Sequence, residues 1–229
     1  MKSKNRIFWG LIICMVLVSF INKDNLVTAK ETSNNICTWN YKVDKSQNIV
    51  FLGDSITDWY PIEDFFDDIP IVNSGHAGDN TEKILDAITE RVYVYNPTKV
   101  FIQIGTNDIK NENIDNDDIA NNINKMIKGI KKKRSKAKIY VLSIYPVNSR
   151  NNEKINRDNV LPRTNEEIQR VNSQIKDVCK EQKVTYIDIY SKLVADDGDL
   201  NLRYTRDGLH LNDIGYYKVT KALLPYVVS

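Results

Sequence analysis

The chain has 229 residues, 41% of them hydrophobic and 27% charged, with a formal net charge of +2. That length accommodates one sizeable core, the composition is that of a globular protein, and the charge balance gives no support for a nucleic-acid partner. Cys14, Cys37 and Cys179 have no metal-ligand spacing, so no zinc site is expected.

Residues 1–29 read as an export signal. Lys2, Lys4 and Arg6 form a basic start, Ile7 to Ile21 is almost wholly apolar, and Val27-Thr28-Ala29 supplies modest side chains for cleavage. The apolar run is shorter than the ~20 residues of a spanning helix. An uncleaved N-terminal anchor is the alternative, and the only route to a membrane. A lipid anchor on Cys14 is disfavoured by Ile13 before it, where a small residue is usual. Without residues 1–29 the net charge falls to about −1, because Lys2, Lys4, Arg6 and Lys23 leave with Asp24 alone. The expectation is a secreted or cell-envelope protein. In that oxidising setting a Cys37–Cys179 disulfide and two free thiols are both compatible with the sequence.

Residues 30–47 are polar, with Trp39 and Tyr41 as the large apolar groups, and read as a lead-in to a domain over 48–229. Apolar runs then alternate with amphipathic stretches. Strands are expected at Asn48–Leu52, Ile69–Asn73, Lys99–Ile104, Lys138–Tyr145 and Val184–Ile189. Helices are expected from Thr81 to about Tyr95 (Ile84, Leu85, Ile88, Val92), from Asp115 to about Arg134, after the Thr164-Asn165-Glu166-Glu167 capping pattern, and from Ile214 to about Val228. The Asp115–Arg134 helix is acidic at its start and basic at its end, which suits the helix dipole, so its Lys131-Lys132-Lys133-Arg134 run needs no polyanionic partner. Residues 148–162, polar and rich in Asn and Arg, read as a surface loop.

Near-continuous apolar strands alternating with helices predict an α/β fold with a parallel sheet covered on both faces. In such sheets the working site lies beyond the carboxyl ends of the strands. The first strand end delivers Gly53-Asp54-Ser55-Ile56-Thr57-Asp58-Trp59. A serine on a tight glycine turn is placed to act as a nucleophile, although Asp54 and Ser55 could simply cap a helix. A nucleophilic serine needs a base, and the chain has two histidines. His210 follows Asp207 by three residues, close enough for the carboxylate to fix its tautomer. His76 has no acid at similar spacing upstream, and Asp79 falls on a turn expected to be mobile, so His76 reads as a pocket-wall residue. Gly78, Asn107 and the Ser55 N–H are candidate oxyanion donors.

Gly53-Asp54-Ser55, Gly78, Gly105-x-Asn107-Asp108 and Asp207-x-x-His210 resemble, in order and spacing, the four sequence blocks of the SGNH (GDSL-type) hydrolases. The opening stretch is similar to that of the acetylhydrolase-like branch. The resemblance implies a three-layer α/β/α flavodoxin-like fold with a five-stranded parallel sheet, order 2-1-3-4-5. It implies a Ser55–His210–Asp207 triad, an oxyanion hole of Ser55, Gly78 and Asn107, and no metal or organic cofactor. The chain lacks Gly-x-Ser-x-Gly, so it does not match the α/β-hydrolase elbow. Asp54, Trp59, His76 and Tyr145 are the candidate pocket residues, with Tyr60, Ile109 and Val147 as further apolar groups near them. The expected activity is removal of short acyl groups, acetyl foremost, from an extracellular or cell-wall glycan. A lipase-type acylhydrolase and a non-catalytic glycan-binding module on the same fold are the rivals.

Overall fold

The computed structural model describes the backbone of residues 20–22, 25–31, 37–40, 46–66, 69–110 and 116–229, and side chains from Ser46 onward except Asn116. Most of the expected export signal, including Cys14, lies outside the described residues. The chain divides into two units, Met1–Lys42 and Val43–Ser229. In the first, β1 (Phe20–Asn22), β2 (Asn25–Glu31) and β3 (Cys37–Asn40) pair antiparallel in that order, with Trp39 opposite Ala29. Part of the 30–47 lead-in is therefore strand. Among the described residues no helix is long and apolar enough to cross a membrane.

The second unit is built on β4 (Ile49–Gly53), β5 (Ile71–Gly75), β6 (Lys99–Gln103), β7 (Lys138–Leu142) and β8 (Thr185–Ile187). All pairs are parallel and the order is β5-β4-β6-β7-β8, the expected 2-1-3-4-5. β4 lies between β5 and β6, so Gly53 stands opposite Gly75 on one side and Gln103 on the other. The helices are α1 (Ser55–Asp58), α2 (Ile62–Phe65), α3 (Thr81–Asp86), α4 (Ile88–Arg91), α5 (Thr106–Ile109), α6 (Asn116–Lys133), α7 (Arg157–Val160), α8 (Asn165–Glu181), α9 (Tyr190–Leu193) and α10 (Asp213–Val227).

The period of two along each strand sorts the core into two chemistries. Val50, Leu52, Val100, Ile102, Ile139 and Val141 join an aliphatic cluster with Ile123, Met126 and Ile127 of α6 and Ile168, Val171 and Ile175 of α8. At the centre of the other face the strands present aromatics. Phe101 lies between Phe51 (4.8 Å) and Tyr140 (4.6 Å), and Tyr60 stacks on Tyr216 of α10 at 4.9 Å. Helices thus cover both faces. Buried aromatic neighbours add about 0.5–1.5 kcal/mol each beyond their area.

Polar groups finish the ends. Lys99 is buried at the start of β6, and its ammonium takes the carbonyls of Tyr226 (3.0 Å) and Val227 (2.7 Å), which the end of α10 leaves without helical partners. Thr164 caps α8 by accepting the Glu167 N–H, as its sequence pattern predicts. Within α8, Asn172 bonds both N–H and carbonyl of Ile144, and Asn165 does the same for Val147, so the chain beyond β7 has its backbone satisfied by side chains. In the basic run of α6, Lys131 holds the Gln182 carbonyl and Arg134 the Tyr93 carbonyl. Cys179 is a buried free thiol whose pKa burial pushes up to about 12.

Three local expectations are corrected. The helix expected from Thr81 to Tyr95 breaks at Ala87 and ends in a 3-10 turn, Tyr93–Tyr95. Pro97 disfavours helical backbone at the residue before it, and Asn96 takes a left-handed conformation (φ 48°) instead. β8 is three residues rather than six. Residues 148–162 are not wholly surface: Asn148 and Val160 are buried and α7 forms within the segment.

Candidate active site

β4 ends at Gly53 because the chain must pass close to its neighbours there. A Cβ on Gly53 would lie 2.2 Å from Thr57 Oγ1 and 2.4 Å from the Gln103 carbonyl. Asp54 then caps α1, its Oδ1 accepting the Ile56 N–H at 2.9 Å. Ser55, the first residue of α1, is turned toward a segment that arrives 155 residues later. Its Oγ is 3.0 Å from His210 Nε2.

The Asp207–His210 turn organises itself. Asp207 Oδ1 accepts the N–H groups of Leu209 (3.0 Å) and His210 (2.8 Å), and Oδ2 is 2.7 Å from His210 Nδ1. Thr205 Oγ1 accepts from Gly208 N–H at 2.8 Å and donates to the His210 carbonyl at 2.8 Å. Burial alone would raise the Asp207 pKa. The ring bond from His210 and the two N–H bonds outweigh it, and hold the carboxyl below the usual carboxylate range. An ionised Asp207 only accepts, so Nδ1 carries its hydrogen and Nε2 is left to accept from the Ser55 hydroxyl.

Gly78 has φ +82°, a backbone a side chain would strain. Among the described residues neither its N–H nor that of Ser55 has a partner, so both are available to an anion. Asn107, in α5, donates one amide hydrogen to the Asp79 carbonyl (2.9 Å), and its Oδ1 accepts from Arg163 (3.1 Å). The second amide hydrogen remains. Asp108 beside it is buried and accepts from Thr81 N–H and Oγ1, which ties the Gly78 loop to α5.

The expected pocket residues separate. Trp59 stays 42% exposed, its ring 4.2 Å from the His210 ring, and forms an open aromatic wall. The His76 side chain is 67% exposed, bonded to Asp79 at 3.1 Å. Asp79 is buried and paired with Arg91 at 3.0 Å rather than free on a mobile turn, because it needs that cation once out of water. Asp54 is 0% exposed and faces inward, so it lines no pocket. Desolvation pushes its pKa up to about 7, against the opposing Ile56 N–H and Arg163 charge. Tyr145 is buried and borders a cavity of about 10 Å³ with Ile56, Tyr60, Phe101, Gln103 and Leu223. Ile109 and Val147 belong to the aliphatic core, so neither is a pocket surface, and Tyr60 belongs to the aromatic core and borders that same small cavity. Among the described residues no three His, Cys, Asp or Glu side chains are grouped to hold a metal ion.

Two residues near the site went unread in the sequence. Asn159 donates to Asp207 Oδ2 at 2.9 Å, and Arg163 holds Asn107. Asn159 lies in α7 and Arg163 beyond its end, in and just after the polar stretch expected to be a surface loop.

The chain is similar to several known proteins. An Escherichia coli N-acylneuraminate cytidylyltransferase is 32% identical over 85% of this chain, which spans only 44% of that relative's length. The human platelet-activating factor acetylhydrolase IB subunit alpha2 is 27% identical over 79% of this chain and 76% of its own. A solved Streptococcus pneumonia protein, provisionally described as a platelet activating factor, superposes with a TM-score of 0.74 at 33% identity, covering 79% of this chain and 84% of that one. The model of the GDSL-like lipase/acylhydrolase family matches residues 51–218, a span from within β4 to the start of α10 that includes Ser55, Gly78, Asn107, Asp207 and His210, and the chain belongs to that family.

Proposed function

We propose that the protein is a serine esterase that removes short acyl groups, acetyl foremost, from a carbohydrate through an acyl-enzyme. The observation that carries it is the line from Asp207 Oδ2 to His210 Nδ1 (2.7 Å) and from His210 Nε2 to Ser55 Oγ (3.0 Å). Ser55 Oγ adds to the ester carbonyl as its proton passes to Nε2, and Asp207 stabilises the imidazolium. The N–H groups of Ser55 and Gly78 and the free amide hydrogen of Asn107 donate to the oxyanion. Collapse expels the alcohol, which takes the proton from His210. Water, deprotonated by His210, then attacks the acyl-enzyme and releases the acid and Ser55.

Two features favour the acetyl group and the sugar. Trp59 offers an exposed aromatic face beside His210, suited to the C–H face of a sugar ring. One relative is named for N-acylneuraminate, a carbohydrate, and another for an acetylhydrolase. The basic and apolar stretch at residues 1–29 favours export, with action on an extracellular or cell-wall glycan; N-terminal sequencing of the mature protein tests that part.

The deciding experiment compares nitrophenyl acetate, a long-chain nitrophenyl ester, lysophospholipid and a panel of acetylated glycans. Acetate release from a glycan and from nitrophenyl acetate, abolished in Ser55→Ala, is the expected result. Faster turnover of the long-chain ester and lysophospholipid would favour the lipase-type rival, and glycan binding with no turnover the non-catalytic one.

A further inference from the structure

Asp207 and Asn107, 100 residues apart in the chain, are held by one short segment. Asn159, on α7, donates its side-chain amide to Asp207 Oδ2 at 2.9 Å, the oxygen that also bonds the His210 ring. Four residues on, Arg163 donates Nη2 to Asn107 Oδ1 at 3.1 Å. The two holders are linked to each other, because Arg163 Nη1 donates to the Asn159 carbonyl at 2.7 Å and to the Val160 carbonyl at 3.2 Å. Arg163 Nε reaches the Thr106 carbonyl at 2.6 Å, and the Asn156 N–H bonds the Asp207 carbonyl at 2.8 Å.

Arg163 is 2% exposed, and among the described residues it forms no ion pair with a carboxylate. A buried guanidinium costs several kcal/mol in desolvation, so its retention needs a use other than a salt bridge. Its acceptors supply one. A guanidinium only donates, so the Asn107 group facing it has to be Oδ1, and the amide nitrogen is then forced toward the Asp79 carbonyl and the site. The planar fork spans Thr106, Asn159 and Asn107 at once, which the point charge of a lysine does not.

We propose that Asn159 and Arg163 are positioning residues that keep the acid and the oxyanion donor in register, Asn159 by fixing the Asp207 carboxylate and Arg163 by fixing the plane and sense of the Asn107 amide. This rests on the reading of Ser55, His210 and Asp207 as an esterase triad. Misplacing a catalytic group by about 1 Å costs roughly 10²-fold. Arg163→Lys therefore lowers kcat on nitrophenyl acetate about 10–100-fold with KM within about twofold. Asn159→Ala lowers it about tenfold, the worth of a bond to a charged group.

Two double-mutant cycles separate positioning from mere stability. If Arg163 acts through Asn107, adding Arg163→Lys to Asn107→Ala costs less than about threefold further, and the same holds for Asn159→Ala on Asp207→Ala. Full multiplication of the single losses in either cycle, with cooperative melting of each variant above the assay temperature, overturns the proposal. Failure of both Arg163→Lys and Arg163→Gln to melt cooperatively would assign Arg163 to folding alone and overturn it equally. Failure of the triad reading looks different: Ser55→Ala would keep its turnover.

Discussion

The Trp59 ring lies against the His210 ring, centroids 4.2 Å apart and planes tilted by 37°, while 42% of Trp59 remains open to solvent. One side chain thus shields the imidazole and offers an aromatic surface to whatever reaches Ser55. Trp59→Ala should raise KM for an acetylated glycan about 2–10-fold, the worth of one aromatic contact, and leave KM for nitrophenyl acetate within about twofold. Equal changes on both substrates would remove the sugar-stacking role.

Asn107 should matter to turnover far more than to binding. With Asn107 as the proposed oxyanion donor, Asn107→Ala is expected to lower kcat roughly 10²–10³-fold with little change in KM. Steady-state rates on nitrophenyl acetate check this, and a tenfold rise in KM at constant kcat would place Asn107 in ground-state binding.

Asp207→Asn preserves the shape of the acid but lets the amide donate toward Nδ1, which favours the wrong imidazole tautomer. A loss of about 10⁴-fold follows the behaviour of serine-protease triads. Fluorophosphonate labelling of Ser55 reads the same defect without a substrate; labelling at the wild-type rate would show that Asp207 is dispensable.

Asp54 makes stability depend on pH. Its pKa is about 7 in the fold, raised chiefly by desolvation, against ~3.9 in the unfolded chain, and its Oδ2 has no partner. The native state therefore holds a proton that the unfolded state lacks across that window, so the contribution is complete below pH ~4 and is lost as pH rises through about 7. Asp54→Asn keeps the oxygen that caps α1 and has no charge to bury. Its melting temperature should gain on the wild type between about pH 4.5 and 7.5. A constant difference over that range would show that Asp54 does not titrate there.

Two glycines with left-handed backbone should respond unequally to alanine. Gly208 (φ +96°) sits beside Asp207, and a Cβ there would meet the Asn148 carbonyl at 2.3 Å. Gly198 (φ +87°) has nothing within 4 Å. Gly198→Ala carries only the backbone term, about 1–2 kcal/mol. Gly208→Ala adds the clash and displaces the acid, so it should melt lower and turn over more slowly than Gly198→Ala. Equal melting temperatures would contradict the packing.

The α/β class, the strand sequence and the residues Ser55, Asp207 and His210 were legible in one dimension because each depends on local rules. Apolar runs declare buried strands, a glycine turn declares a strand end, and a three-residue spacing lets Asp207 and His210 bond through their own turn. Tertiary structure decided whatever depends on which way a side chain faces. Asp54 stands next to Ser55 and Tyr145 just beyond the end of β7, yet both are buried, whereas Trp59 stays out. Asn159 lies in, and Arg163 just after, a polar stretch without periodicity, and composition alone reads such a stretch as solvated. Their partners, Asp207 and Asn107, come from 48 and 56 residues away, and only the folded chain brings those groups within hydrogen-bonding distance.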